Sequence, residues 1–275
     1  MSEPVLSDPL AQGYYRQGEQ EIASLRSADD VLRKAEGLAR HDSRADLMQA
    51  ACYYLAAADF LEPLDATRAS HAYHQAGRQL QQLDQFVHAA RAFLEAGRCA
   101  ERSAQSIASG PTQQHLQHAA VRAYSRANHC FAEAGDFEQS ESAYLKEHDA
   151  RVVWARMQGQ HPVALLAWKA TSNYSTSFRR MAAWIVGSMA VFSLLYEAFF
   201  RLQWLQPMSN TEPAPWIPLW SGFYYAVNVT SSLALVEYQP THPVCQAIVM
   251  LNVIAGYLFL GVGIGIVGHL IKSRA

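Results

Sequence analysis

Val244–Ile271, VCQAIVMLNVIAGYLFLGVGIGIVGHLI, runs for 28 residues without an Asp, Glu, Lys or Arg. A helix rises about 1.5 Å per residue and the hydrocarbon layer of a bilayer is roughly 30 Å thick, so this stretch predicts a membrane-spanning helix with some tilt. Working back along the chain, Met181–Phe200, MAAWIVGSMAVFSLLYEAFF, has 20 residues and one charge, Glu197, near its end. It predicts a second span. Between the two lies Ile217–Leu235, IPLWSGFYYAVNVTSSLAL, which hydropathy alone would make a third.

Charge asymmetry decides against a third crossing. Arg179 and Arg180 precede the first span, Lys272 and Arg274 follow the last, and the connections Gln203–Trp216 and Glu237–Pro243 carry no Lys or Arg. Basic residues stay on the cytoplasmic side, which puts both ends there and requires an even number of crossings. The middle segment is therefore expected to enter and leave on one side. Non-helical backbone at membrane depth is tolerated only where protein buries it or where it lines a water-filled cavity, so a re-entrant segment points to a pore.

The rest of the 275-residue chain is different in kind. It is 50% hydrophobic and 17% charged overall, with a formal net charge of −2, against roughly 25% charged residues in soluble domains. Residues 181–275 hold only six charges, Glu197, Arg201, Glu212, Glu237, Lys272 and Arg274, so nearly all the charge lies before them. The near-neutral balance, without a basic run, excludes nucleic acid as a partner. The N-terminus has no basic region followed by an apolar run, which speaks against a cleaved signal peptide and for a cytosolic N-terminal half. Cys52, Cys99, Cys130 and Cys245 are widely spaced, form no CxxC pair and have no His at metal-ligand spacing, so buried thiols in a reducing compartment are expected, with no metal and no cofactor.

From about Ala35 to Arg156 good helix formers dominate and apolar residues recur at intervals of three and four. Ala69, Ala72, Tyr73, Ala76 and Leu80 mark one helix, and Phe86, Ala89, Ala90, Phe93 and Leu94 the next, with Gln82–Gln85 as the turn. Phe86, Ala92, Phe93 and Leu94 recur as Phe137, Ala143, Tyr144 and Leu145 at a constant offset of 51 residues. Ser103–Gln114, rich in Ser with Gly and Pro, is expected to be the loop that lengthens the repeat. Stacked helix pairs of this kind make a right-handed solenoid.

The segments Ala76–Arg102 and Ala123–Glu147 resemble tetratricopeptide repeats, and more closely those of soluble NSF attachment proteins. The resemblance covers roughly Arg44–Arg156. It implies a curved surface that binds a protein partner or ligand; a structural scaffold or oligomerisation cap fits the same pattern.

The membrane half has a resemblance of its own. Phe223–Tyr225, then Val229–Glu237 and Pro240, resemble the pore loop of two-helix potassium channels, in which a pore helix ends in Thr-Thr-Val-Gly-Tyr-Gly-Asp followed by Pro. Ser231 and Ser232 fall on the threonines, Leu233 on the valine, Leu235 on the tyrosine and Glu237 on the aspartate, whereas Ala234 and Val236 replace both glycines. A potassium filter needs positive φ at those glycines, a region that Ala dislikes and β-branched Val strongly resists. A potassium-selective filter is therefore not expected; Leu233, Leu235 and Val236 would make an apolar constriction of poor selectivity, or one that does not conduct. Ile254-Ala255-Gly256 resembles the inner helix, which implies a gating hinge at Gly256. Asn252, Gly256, Leu260, Gly263 and Val267 share a helical stripe expected to face the pore axis, although glycines on this helix also suit close packing.

Other polar residues carry simpler expectations. Four copies of Glu237 would ring the outer mouth and concentrate cations, and a solvated loop acid is the alternative. Glu197 and Arg201 are spaced for an ion pair. Asn228 and Asn252 need partners at membrane depth, either each other or a neighbouring subunit. No phosphate-binding glycine loop, HExxH or GxSxG stands where it would serve catalysis, so no enzyme is expected. His161–Phe178 suits an interfacial helix.

The expectation is an all-α chain. Residues 1–156 form the cytosolic repeat domain, 157–180 a linker, and 181–275 a membrane domain with spans over 181–205 and 244–271 and a re-entrant helix and loop over 217–237. It would lie in the inner (plasma) membrane with both termini cytoplasmic, as a homotetramer passing monovalent cations and gated through its repeats. The competing expectation is a non-conducting anchored adaptor.

Overall fold

The computed structural model of the protein describes residues 9–25, 27–41, 43–208, 215–232 and 238–272. The chain is all-α: among the described residues there are eleven helices and two strands of three residues each. It divides into two compact units, Met1–Leu166 and Ala167–Ala275.

The first unit holds α1 (Pro9–Leu25), α2 (Ala28–Leu38), α3 (Arg44–Leu61), α4 (Ala66–Gln82), α5 (Phe86–Ser106), α6 (Pro111–Glu133) and α7 (Phe137–Met157). Each of α4 to α7 packs on its sequence neighbours, and α1 and α2 both lie on α3. Side-chain caps start several helices: Ser43 accepts from Asp46 N at 3.1 Å, and Asp65 accepts from Thr67 N at 3.0 Å and Arg68 N at 3.1 Å. Each such cap contributes about 1 kcal/mol. Alanines let the helices approach while aromatic rings fill the gaps, as with the buried Tyr53, Phe93 and Tyr124 among Ala57, Ala96 and Ala127.

Repetition extends to the backbone. α5 and α7 are both 21 residues long and begin at Phe86 and Phe137, 51 positions apart. The preceding turns match as well. Asp84 (φ 60°) and Gly135 (φ 74°) occupy equivalent left-handed positions, and Gln85 N donates to Leu80 O as Asp136 N donates to Phe131 O. This is the six-to-one bond of a helix C-terminus that ends through a left-handed residue.

One expectation is corrected here. The loop foreseen over Ser103–Gln114 is only residues 107–110, because Ser103 and Ala104 are buried at the end of α5 and Pro111 opens α6. Helical structure also begins well before Ala35, with α1 and α2 covering part of α3.

The second unit contains α8 (Val163–Ser172), which straddles the division, α9 (Phe178–Arg201), β1 (Leu205–Pro207), α10 (Trp220–Ser231), β2 (Tyr238–Pro240) and α11 (Pro243–Lys272). Helices α9 and α11 are long and apolar enough to cross a membrane. Their large apolar side chains are left uncovered: Trp184, Val186, Val191 and Leu194 on α9, and Met250, Ile254, Tyr257, Leu258, Leu260 and Ile264 on α11, are each more than half exposed. An apolar surface of this extent suits lipid or a partner chain rather than water. After α8 the chain turns through three successive left-handed residues, Asn173, Tyr174 and Ser175, with the Tyr174 side chain buried and Trp168 Nε1 donating to Ser175 Oγ at 2.8 Å.

Candidate functional site

The short helix α10 lies against both long helices. At its start, Pro218 O accepts from Trp220 N at 2.8 Å across Leu219, whose φ is 67° and ψ −44°. This is a γ-turn with positive φ at its centre, a strained conformation for a leucine. Helix α9 holds it in place. Glu197 Oε2 accepts from Trp216 Nε1 at 2.8 Å and from Leu219 N at 3.4 Å, and Ser193 Oγ donates to Leu219 O at 3.4 Å. The other carboxylate oxygen of Glu197 accepts from Arg201 Nε at 3.1 Å and Nη2 at 3.0 Å. The spacing of Glu197 and Arg201 foretold their pairing; that the buried carboxylate also organises the entry to α10 was legible only as an acid lying inside an apolar span.

Glycines mark the two crossings. A Cβ at Gly222 on α10 would stand 2.6 Å from Ser193 O of α9, and one at Gly256 on α11 would collide with Thr230 O of α10. Beside the second crossing, Asn252 is fully buried. Its Nδ2 donates to Tyr196 Oη at 3.1 Å and Ala226 O at 3.3 Å, and its Oδ1 accepts from Thr230 Oγ1 at 2.8 Å. One amide therefore joins α9, α10 and α11. Of the two expected alternatives, a bond between Asn228 and Asn252 or to a neighbouring subunit, the first does not form, because Asn228 Nδ2 turns back along its own helix to Tyr224 O at 2.9 Å.

The excursion between α9 and α11 is closed at one end. β1 pairs antiparallel with β2 in the register Leu205↔Pro240, Gln206↔Gln239 and Pro207↔Tyr238, and Thr241 N donates to Trp204 O at 2.9 Å. Rings seal the closure: Trp204 stacks on His242 with centroids 3.9 Å apart, and Trp216 on Phe200 at 4.2 Å with Tyr238 edge-on to both. The chain leaves the end of α9 and returns to the same place before α11 begins.

Of the residues singled out from the sequence, Ser231 and Ser232 end α10 and are exposed, Ser232 as a left-handed cap with φ 53°. Leu233, Ala234, Leu235, Val236 and Glu237 lie outside the described residues. The inner-helix stripe does not share one environment. Asn252 and Gly256 are buried against α10, Gly263 is half-buried where a Cβ would meet Met181 Cε at 3.7 Å, and Leu260 and Val267 are more than half exposed. The α10 end thus occupies the face of Asn252 and Gly256 that the stripe assigned to the pore axis. Sequence reasoning missed Tyr196, Ser193 and Gly222, whose roles exist only as contacts between helices. Among the described residues no group of three or more His, Cys, Asp or Glu side chains is placed to hold a metal ion.

Comparison with protein families, with curated proteins and with solved structures finds no match to this chain.

Proposed function

We propose that the chain is a subunit of an ion-conducting membrane pore of the potassium-channel-like plan, assembled as a homotetramer and gated through its N-terminal helical unit. The observation that carries the reading is the β1–β2 closure around a twelve-residue helix. At 1.5 Å per residue α10 is about 18 Å long, too short to cross roughly 30 Å of hydrocarbon. It meets α11 at Gly256, thirteen residues into that helix and so about 20 Å from its start. A half-length helix that enters from one end, stops near mid-depth and returns to the same end is re-entrant. Its C-terminal carbonyls then carry partial negative charge at mid-depth, where a cation has lost most of its water.

Further support comes from what α10 leaves uncovered. Trp220, Phe223 and Tyr224 are exposed on one side of it while Tyr225, Ala226 and Val229 are buried on the other. A neighbouring subunit supplies a partner for that aromatic side. Arg179 and Arg180 in the first turn of α9, with Lys272 ending α11, favour cytoplasmic termini in a plasma membrane. The matched turns and equal lengths of α5 and α7 support a tetratricopeptide-like solenoid related in plan to soluble NSF attachment proteins, which offers a surface for a partner or ligand. Because Ala234 and Val236 stand where a potassium filter has glycines, the pore passes monovalent cations with little selectivity.

Single-channel recording in planar bilayers under asymmetric KCl and NaCl tests the reading, with Leu233→Asp beside the unaltered chain. Discrete currents whose size or reversal potential changes in Leu233→Asp are expected. Silence from both, also after removal of residues 1–160, would favour a membrane-anchored adaptor that recruits a protein through its repeats.

A further inference from the structure

The N-terminal unit carries two basic stripes that converge. His71, His74 and Arg78 follow one another at three- and four-residue spacing on α4, and Arg122, Arg126 and His129 do so on α6. Arg78, Gln81 and Gln82 from the first helix, with Arg126 and His129 from the second, line a concavity of about 470 Å³. The concavity is wide open to solvent, so it has the volume of a small-ligand site, about 300 to 1,000 Å³, but would grip a ligand from one side. Many cations of this unit are neutralised by carboxylates, as Lys34 is by Glu21, Arg98 by Glu95, Arg102 by Glu62 and Arg151 by Glu147. Arg78, Arg122 and Arg126 make no salt bridge among the described residues, as Arg91 and Lys146 make none; what sets the three apart is that they are gathered around His74, whose imidazole feels all of them. Arg126 is set by its guanidinium lying 5.6 Å from the Phe93 ring centroid. Glu133 lies 3.9 Å from His129 Nδ1.

The field of this cluster is felt by His74 itself, which stays neutral near pH 7 and leaves the positive charge to the arginines. Burial pushes the His74 imidazole down to about 4, and Arg126, Arg78, His71 and Arg122 all push in the same direction. Like charges gathered without counter-ions are costly unless something anionic completes them. Guanidinium forks match phosphate oxygens two at a time, and amide groups such as those of Gln81 and Gln82 add neutral donors. A phosphate ester carries about two negative charges near neutral pH, which a single carboxylate does not.

We infer that the α4–α6 concavity binds a small phosphate-bearing anion of nucleotide size, gripped by Arg78 and Arg126. Such a ligand ties two successive helical repeats together and is the class of stimulus the N-terminal unit senses. That sensing role rests on the pore proposed above, whereas the binding does not. Failure of binding leaves the pore standing, and a silent bilayer leaves the binding standing.

Calorimetric titration of the purified full-length protein in detergent, with pyrophosphate and with adenosine triphosphate, tests the site. Saturable binding of at least one is expected, weakened tenfold or more by Arg78→Gln and by Arg126→Gln. Arg33→Gln, which removes an exposed cation from α2, is expected to leave binding unchanged. Citrate separates phosphate recognition from simple charge matching and is expected to bind at least tenfold more weakly. No heat from either phosphate at millimolar concentration would overturn the inference. So would equal losses in Arg33→Gln, equal affinity for citrate, or binding of a glutamate-rich peptide without binding of phosphate. Unchanged far-ultraviolet circular dichroism in the variants shows that a loss comes from the site.

Discussion

Gly256 passes so close to Thr230 that a methyl group on it would collide with the Thr230 carbonyl oxygen. The absent side chain lets α11 touch the end of α10. Gly256→Ala is expected to lower the thermal unfolding midpoint in detergent, since forcing a methyl into a packed contact costs about 1 to 3 kcal/mol. Gly261→Ala, with nothing within 4 Å of the added carbon, is the control and is expected to leave the midpoint unchanged.

The Asn252 amide is expected to be energetically coupled to Tyr196 and Thr230. Asn252→Ala takes the Nδ2 donor from the buried Tyr196 hydroxyl while Thr230 Oγ1 keeps Ala226 O as its acceptor at 2.7 Å, and is expected to cost about 1 to 3 kcal/mol, whereas Tyr196→Phe removes one bond and costs about 1 kcal/mol. A double-mutant cycle read by denaturant unfolding should give a coupling above about 0.5 kcal/mol, as for residues in direct contact. Strict additivity would mean that the three helices are held by packing alone.

Glu197 organises the entry to α10 through Trp216 and Leu219. Glu197→Ala is expected to free the strained γ-turn at Leu219 and loosen the aromatic closure around Trp216. The readout is tryptophan emission and its quenching by iodide: a red shift and faster quenching are expected. Arg201→Gln, which leaves the bonds to Trp216 and Leu219 in place, should change both much less.

The N-terminal unit should lose stability in mild acid. The folded His74 imidazole has its pKa at about 4, below the usual 6.5. The unfolded chain therefore takes up a proton between those values that the folded chain refuses, so stability is fully present above about pH 6.5 and falls as the pH drops toward 4. Burial also lowers His88 and His148, and their effects add in the same direction. Thermal unfolding followed by circular dichroism across pH 7 to 4 should show the midpoint falling, with a shallower slope in His74→Gln.

Buried Cys99 and Cys130 are pushed up to about 11 by desolvation, so they hold little thiolate at neutral pH. Both should react with a thiol reagent at least tenfold more slowly in the native protein than in denaturant. Mass mapping of the modified peptides checks this.

The sequence by itself determined whatever depends on local pattern. Long runs with at most one charge, Met181–Phe200 and Val244–Ile271, predict long apolar helices, and the helices Phe178–Arg201 and Pro243–Lys272 match them to within a few residues at each end. Three-and-four spacing among Ala, Phe and Tyr implied stacked helices, and the offset of 51 residues reappears in the equal lengths and matching turns of α5 and α7. Only the tertiary structure decided what depends on contact between segments distant in the chain. It joined Asn252 to Tyr196 and Thr230 rather than to Asn228, set Gly256 against Thr230, gave Glu197 the opening of α10, and brought Arg78 and Arg126 to one concavity. The reason is physical. Periodicity reports which face of a helix is apolar, whereas a hydrogen bond or a close crossing depends on the rotation and depth of two helices relative to each other, and no single segment encodes that.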